Sequence, residues 1–186
     1  MIMNHRDRLR ELLVERSLEK GDFVLASGAR SSYYIDARRT TFSAEGQYLL
    51  GIVGLQALWS SGLAPDWVGG LTMGADPVAC ALAHRSWAEN QPIQAFSVRK
   101  EPKGHGTARQ IEGGLPPGAD VVVVEDSLTT GASALKAVKV LEEFGVSVLA
   151  VFTVVDRQEG GEALITEAGY SFLRIFTADE LLNPPA

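Results

Sequence analysis

The stretch VVVVEDSLTTGAS, residues 121–133, decides the fold that we predict for this chain. Its four consecutive valines are β-branched and apolar, which indicates a strand buried on both faces, as in a parallel sheet covered by helices. Two carboxylates, Glu125 and Asp126, follow at once, and a helical pattern begins near Ala132 and runs to Gly145. The stretch therefore predicts a strand, a polar turn and a helix N-terminus in direct succession.

The turn between this strand and this helix has the composition of a phosphate cradle. Its backbone N–H groups and the helix dipole favour an anion at the helix N-terminus. The acidic pair would repel the same phosphate, and it suits the neutral vicinal hydroxyls of a ribose or a metal-bridged diol. A ligand that carries a phosphate and a sugar is thus predicted, and the alternative is an ordinary turn before a capped helix.

Length and composition limit the class of protein. The chain has 186 residues and a net charge of −6, which favours one domain and argues against nucleic acid as a partner. No apolar run is long enough for a membrane span, and the charged N-terminus lacks a signal peptide, so a membrane partner is not expected. The single cysteine, Cys80, is expected in the core, and a cytoplasmic location fits best.

The first forty residues predict a helix at 6–18 and a hairpin with strands at 21–27 and 32–36 that carries Tyr33 and Tyr34. From residue 41 onward, a long helix capped by Ser43 is followed by alternating strands and helices. This alternation predicts an α/β core at 41–186, with a mainly parallel central sheet flanked by helices and residues 1–40 as a hood.

Three further segments of the core carry candidate ligand groups. A glycine-rich loop follows the strand at 67–71, and we expect Asp76 to cap the next helix with Pro77 at its first position. Four basic side chains and a histidine lie within 99–109, in a loop without helical or strand periodicity that could close over a polyanion. Arg157 ends the strand at 146–155 and could grip a carboxylate, although a surface salt bridge is the alternative.

Taken together, these segments are similar to the orotate phosphoribosyltransferases of the type I phosphoribosyltransferase fold. The resemblance rests on residues 121–133, which look like the signature that binds 5-phosphoribosyl 1-diphosphate (PRPP), on the tyrosine hairpin, on the 69–77 loop, and on Asp156-Arg157. The basic loop RK-x-x-K-x-HG, followed by IEG, separates this family from other phosphoribosyltransferases. The order and spacing of these motifs match over nearly the whole chain.

The resemblance implies a role for each candidate residue. The acidic pair binds the ribose hydroxyls, Tyr33, Tyr34, Thr129 and Arg157 bind orotate, and Mg²⁺ is held mostly by PRPP oxygens and water. The family is a homodimer in which the loop at 99–112 acts across the interface. The other PRPP contacts implied are Thr72, Met73 and Gly74 behind the pyrophosphate, the cations Arg99, Lys100, Lys103 and His105, which are also the catalytic candidates, and the cradle residues Ser127, Leu128, Thr129, Thr130, Gly131, Ala132 and Ser133.

Two lysines of the enterobacterial type are absent from this chain. Ala26 stands before the Ser-Gly of the hairpin, and Met73-Gly74 replaces Tyr-Lys in the 69–77 loop. Arg30, Arg38 and Arg39 are the nearby cations that could compensate. Two other functions stay open on sequence grounds: a purine phosphoribosyltransferase, and a non-catalytic regulator that senses PRPP.

Overall fold

In a computed structural model of the chain, residues 4–24, 28, 30–101 and 110–183 are described. The helices are α1 (His5–Ser17), α2 (Arg38–Thr41), α3 (Ala44–Ser60), α4 (Ala75–Ala88), α5 (Ala132–Phe144), α6 (Gly161–Glu167) and α7 (Ala178–Leu182). The strands are β1 (Leu18–Val24), β2 (Arg30–Ile35), β3 (Trp67–Leu71), β4 (Gln94–Val98), β5 (Ile111–Glu112), β6 (Asp120–Leu128), β7 (Ser147–Asp156) and β8 (Ser171–Thr177).

The central sheet has six strands in the order β5-β4-β3-β6-β7-β8. Strands β4, β3, β6, β7 and β8 run parallel, while the two-residue β5 pairs antiparallel with β4 at one edge. The carboxyl ends of the parallel strands therefore meet at one edge, where an open α/β sheet presents its ligand groups.

The valines of β6 face two separate hydrophobic clusters. Val122 and Val124 pack with α1, α3 and α4, whereas Val121 and Val123 pack with α5 on the opposite side of the sheet. All four valines are fully buried. Successive side chains of a strand point to opposite faces of the sheet, and helices cover both faces here, so all four valines are buried. The prediction of a strand buried on both faces is confirmed.

The N-terminal helix and hairpin predicted from the sequence are present. Asn4 caps α1 by accepting a hydrogen bond from the Asp7 amide at 2.8 Å, and α1 buries Leu9, Leu12 and Leu13 against the core. Strands β1 and β2 form a separate antiparallel pair. The long helix α3 is capped by Ser43, and α7 begins with the predicted capping box of Thr177 and Glu180.

Two local predictions were wrong. Cys80 is exposed on α4. Asp76 does not cap α4, since the helix begins at Ala75 with Gly74 in the capping position. The short elements α2 and β5 were not predicted. None of the helices in the described ranges is long and apolar enough to cross a membrane.

Candidate active site

A cavity of about 370 Å³ lies at the carboxyl ends of β3 and β6, beneath the end of the N-terminal hairpin. Five parts of the chain that are distant in sequence form its wall. They are the end of β2 with the segment after it, the turn after β3, Lys100 after β4, the end of β6 with the turn and helix start that follow, and Arg157 after β7. Most of the PRPP and orotate residues expected from the sequence line it. These are Tyr34, Thr72, Met73, Gly74, Lys100, Glu125, Asp126, Ser127, Thr129, Ser133 and Arg157.

The acidic pair lies inside strand β6, which extends to Leu128, and not in a turn after it. The Glu125 side chain is 6% exposed, and its Oε1 accepts no hydrogen bond from any described residue. Burial, with a smaller effect of the neighbouring Asp126 charge, raises the pKa of Glu125 to about 8. Burial also raises the pKa of Asp126. A buried carboxyl group without a partner is costly, which is typical of a position that a ligand completes.

The raised pKa of Glu125 predicts how stability depends on pH. The folded protein holds the Glu125 proton up to about pH 8, whereas the ordinary glutamate pKa is 4.5. The stabilisation from the protonated form is therefore complete below pH 4.5 and is lost as the pH rises through 8. We expect Glu125→Gln to raise the free energy of unfolding at pH 9 by on the order of a few kcal/mol, with a smaller gain at pH 5.

Urea unfolding of both proteins at pH 5, 7 and 9 measures this difference. Glu143→Gln is the matched control, because Glu143 is exposed on α5. If the free energies of unfolding of Glu125→Gln and the parent protein differed by the same amount at all three pH values, Glu125 would not be a buried protonated group.

Two helices that begin at the cavity lack side-chain caps. No side chain caps α4, which follows the turn at 72–74, or α5, which follows the turn at 129–131. Side-chain oxygens cap α1, α3 and α7, whereas α2 and α6 also lack a side-chain cap. Free N–H groups and a positive dipole end make an uncapped helix start a binding place for an anion. The cavity therefore has two such places, at the starts of α4 and α5.

The turn at 72–74 is fixed by hydrogen bonds and by a close approach to Asp126. Asp76 accepts hydrogen bonds from the hydroxyls of Thr72 and Ser97, each at 2.7 Å, and the Thr72–Met73 peptide is cis. A Cβ atom built on Gly74 would overlap Asp126 Oδ1. This contact gives a physical reason why no lysine stands at position 74 in this chain.

Arg157 is a buried cation with unused hydrogen-bonding capacity. Its side chain is 7% exposed, and its Nε has no hydrogen-bond partner among the described residues. Its Nη2 lies 2.9 Å from Glu159 Oε1 but outside hydrogen-bonding alignment. The guanidinium also lies 5.6 Å from the centroid of the Tyr33 ring, which supports it from the hairpin. A planar donor pair that faces a cavity suits a carboxylate.

The other predicted site residues that the structure describes do not line the cavity. Tyr33 packs toward the core, because neighbouring strand residues point to opposite faces and Tyr34 faces the cavity. Arg99 lies at the stem of the basic loop, where its Nε donates to Glu112 Oε1 at 2.9 Å. The lining does not include Leu128, Thr130, Gly131 and Ala132, and Gly131 adopts φ 84° directly before α5. Lys103 and His105 lie outside the described residues.

Two charged cavity residues were not assigned to the site by the sequence; the other unassigned lining residues, Ile35, Ala37 and Leu71, are apolar. Asp36 and Arg38 line it from the segment between β2 and α2. Arg38 was named as a possible replacement cation, but a helix of four residues gives no periodicity that could have placed it. One feature of the sequence could have pointed to these two residues: the stretch between the end of the hairpin and the Ser43 cap, which had no predicted role.

The residues at the cavity fit Mg²⁺ as the resemblance describes it. Within the ranges that the structure describes, no three His, Cys, Asp or Glu side chains form a metal cluster. Glu125 and Asp126 offer two adjacent carboxylates, which suits a hard cation that takes most of its ligands from phosphate and water.

Comparisons with known proteins agree with this geometry. Residues 60–173 match the model of the phosphoribosyl transferase domain family. An orotate phosphoribosyltransferase from Aquifex aeolicus is 49% identical over 98% of this chain and 100% of its own length, and one from a Bradyrhizobium species is 45% identical over 95% and 97%. The solved Mycobacterium tuberculosis orotate phosphoribosyltransferase in complex with PRPP superposes with a TM-score of 0.80 at 38% identity, over 96% of this chain and 99% of that one.

Proposed function

The chain belongs to the orotate phosphoribosyltransferases, and from this we propose that it transfers the 5-phosphoribosyl group of PRPP to orotate in pyrimidine biosynthesis. The products are orotidine 5′-monophosphate (OMP) and pyrophosphate. The single observation that carries the proposal is the cavity itself, in which two uncapped helix N-termini, a buried acidic pair and a buried arginine converge. These groups match the 5′-phosphate, the pyrophosphate and the ribose diol of PRPP and the carboxylate of orotate.

In this arrangement PRPP spans the acidic pair. The N-terminus of α5 and residues 127–133 bind the 5′-phosphate, and the turn at 72–74 with the N-terminus of α4 binds the pyrophosphate. Glu125 and Asp126 accept hydrogen bonds from the ribose hydroxyls between them. When bound, Mg²⁺ adds positive charge at the pyrophosphate, where the leaving group becomes more negative.

Orotate lies between the sugar and the hairpin. The Arg157 guanidinium binds its carboxylate, Thr129 contacts its polar edge, and Tyr34 with Tyr33 behind it covers the planar ring. This placement leaves the ring nitrogen of orotate facing the anomeric carbon of PRPP, as the reaction requires.

In the proposed mechanism, catalysis depends mainly on cations placed where negative charge develops on the leaving pyrophosphate. The anomeric carbon passes through a state like an oxocarbenium ion as pyrophosphate leaves, so cations near the pyrophosphate stabilise that state more than the ground state. We assign this role to Arg99, Lys100, Lys103 and His105, with Lys103 or His105 as proton donor to the leaving group. Closure of their loop excludes the water that would otherwise hydrolyse the cation.

We propose a homodimer that covers large aromatic side chains exposed on α3, on α4 and between α2 and α3. Phe42, Tyr48 and Trp87 are 56%, 60% and 74% exposed, and Tyr48 and His84 share a groove between α3 and α4. Large exposed side chains of this kind are typical of interfaces. We place the dimer contact there, with the loop at 99–112 of each subunit acting in the site of the other.

Mixing two inactive variants tests the shared site. Lys103→Ala and Arg157→Met should each be nearly inactive alone, but a refolded equimolar mixture contains heterodimers with one intact site. We expect that mixture to recover up to roughly one quarter of the parent activity, because random pairing makes half of the dimers mixed. Activity that stays at the level of the separate variants would mean that each loop serves its own subunit.

Competing functions are separated by the choice of base. Orotate, adenine, hypoxanthine and uracil are each incubated with PRPP, Mg²⁺ and the protein, and nucleotide formation is followed by chromatography. The proposal expects OMP alone, while turnover of a purine base alone would support a purine phosphoribosyltransferase.

The whole of 1–186 is proposed as one phosphoribosyltransferase domain, with 1–40 as the hood. A cytoplasmic location stays a prediction that rests on the single cysteine.

A further inference from the structure

Arg38 is held at the rim of the cavity by a two-pronged ion pair. Its Nε donates to Asp36 Oδ1 at 2.8 Å, and its Nη2 donates to Asp36 Oδ2 at 3.2 Å. The side chain is 48% exposed, and Nη1 has no acceptor within the part of the chain that the structure describes. The fork with Asp36 thus fixes the plane of the guanidinium and leaves Nη1 able to donate to a ligand.

The charge of Arg38 acts on Asp126, which lies against the turn at 72–74. Burial raises the pKa of Asp126, and the Arg38 charge opposes that rise, which puts the two groups within electrostatic range. Asp126 in turn lies against Gly74. Arg38, Asp126 and Gly74 therefore lie around one end of the cavity, where the N-terminus of α4 begins.

A polyanion at this end needs a cation that the turn itself does not provide. The described lining at this end includes the Asp126 carboxylate, whose negative charge repels a polyanion. A side chain at position 74 would meet Asp126, so a lysine cannot enter from the turn without displacing that carboxylate. Of the other described lining cations, Arg157 lies beside Tyr33 and Glu159, and Lys100 lies at the stem of the basic loop.

Two neighbouring arginines have different surroundings. Arg39 pairs with Glu19, and Arg30 lies 3.7 Å from Asp22 on the exposed hairpin. Neither lines the cavity. They differ from Arg38 in position and not in chemistry, so they serve as matched controls.

We propose that Arg38 binds the pyrophosphate group of PRPP, with Asp36 as the residue that positions it. This inference rests on the proposed function, because it assigns one more ligand of the same substrate. The turn at 72–74 has no lysine, and in this proposal Arg38 supplies the missing positive charge from the segment that follows the hairpin.

Calorimetric titrations with two ligands test the assignment. Inorganic pyrophosphate with Mg²⁺ probes the Arg38 end of the cavity, and OMP probes the remainder, since OMP has no pyrophosphate group. We expect Arg38→Ala to weaken pyrophosphate binding by roughly 10- to 100-fold, the effect of one charge-assisted hydrogen bond, and to change OMP binding by less than about 2-fold. Arg38→Lys should recover part of the loss, and Arg39→Ala should bind both ligands as the parent protein does.

Each other result has a distinct meaning. Unchanged pyrophosphate binding in Arg38→Ala would overturn the inference, as would equal losses of pyrophosphate and OMP or an equal loss in Arg39→Ala. If the parent protein bound neither ligand, the proposed function itself would fail, whatever the variants showed.

Discussion

Replacement of Lys103 by alanine should lower kcat by roughly 10²- to 10³-fold, while PRPP binding weakens far less. The reason is that negative charge on the pyrophosphate increases as its bond to the anomeric carbon breaks. A cation on the closed loop interacts more strongly with that charge than with the ground state. An interaction made mainly in the transition state affects kcat and leaves the dissociation constant of PRPP almost unchanged.

Single-turnover measurement of OMP formation, with PRPP binding measured separately, distinguishes the two effects. Lys139→Ala removes the same charge from an exposed position on α5, and it should leave both quantities unchanged. A Lys103→Ala variant with the kcat of the parent protein would remove Lys103 from catalysis. Lys103 lies outside the described residues, so this role comes from the resemblance to the family and from the charge of the basic loop.

Replacement of Arg157 by methionine should lower kcat/KM for orotate by roughly 10²- to 10³-fold and leave PRPP binding nearly unchanged. Methionine fills a similar volume without donors, so the carboxylate of orotate would enter a buried pocket without a partner. The Glu159 side chain is 32% exposed, so its carboxylate can be hydrated when Arg157 is removed. The substitution should therefore cost little folding stability.

Two controls separate binding from structural damage. Arg157→Lys keeps the charge but loses the planar pair of donors, so it should recover a small part of the activity. Glu159→Gln removes the other partner of Arg157 and should change kcat/KM much less than Arg157→Met does. Equal losses of orotate and PRPP binding in Arg157→Met would indicate a collapsed site and contradict a specific contact with the carboxylate.

The sheet and the location of the site could be predicted from the sequence because the signals are local. Four adjacent valines describe a strand covered on both faces, and the polar residues that follow necessarily lie at its carboxyl end. Arg157 ends the adjacent parallel strand, so the same geometry brings it to the same edge of the sheet.

Other features depend on contacts that the sequence does not display. An apolar helical pattern identified Cys80 as a core residue, yet the pattern cannot tell a face that packs on the sheet from one that stays uncovered. Asp76 has the form of a helix cap, but the hydroxyls of Thr72 and Ser97 bind its carboxylate instead. Arg38 enters the cavity through the bend after β2, which places it near Asp126 although 88 positions separate the two in the sequence.

The most direct test of the central claim is the loss of orotate absorbance when the protein is mixed with orotate, PRPP and Mg²⁺. Our account predicts a loss that requires both PRPP and Mg²⁺, with OMP and pyrophosphate formed in equal amounts. Binding of PRPP without turnover of orotate or of any other base would contradict it and would support a regulator that senses PRPP.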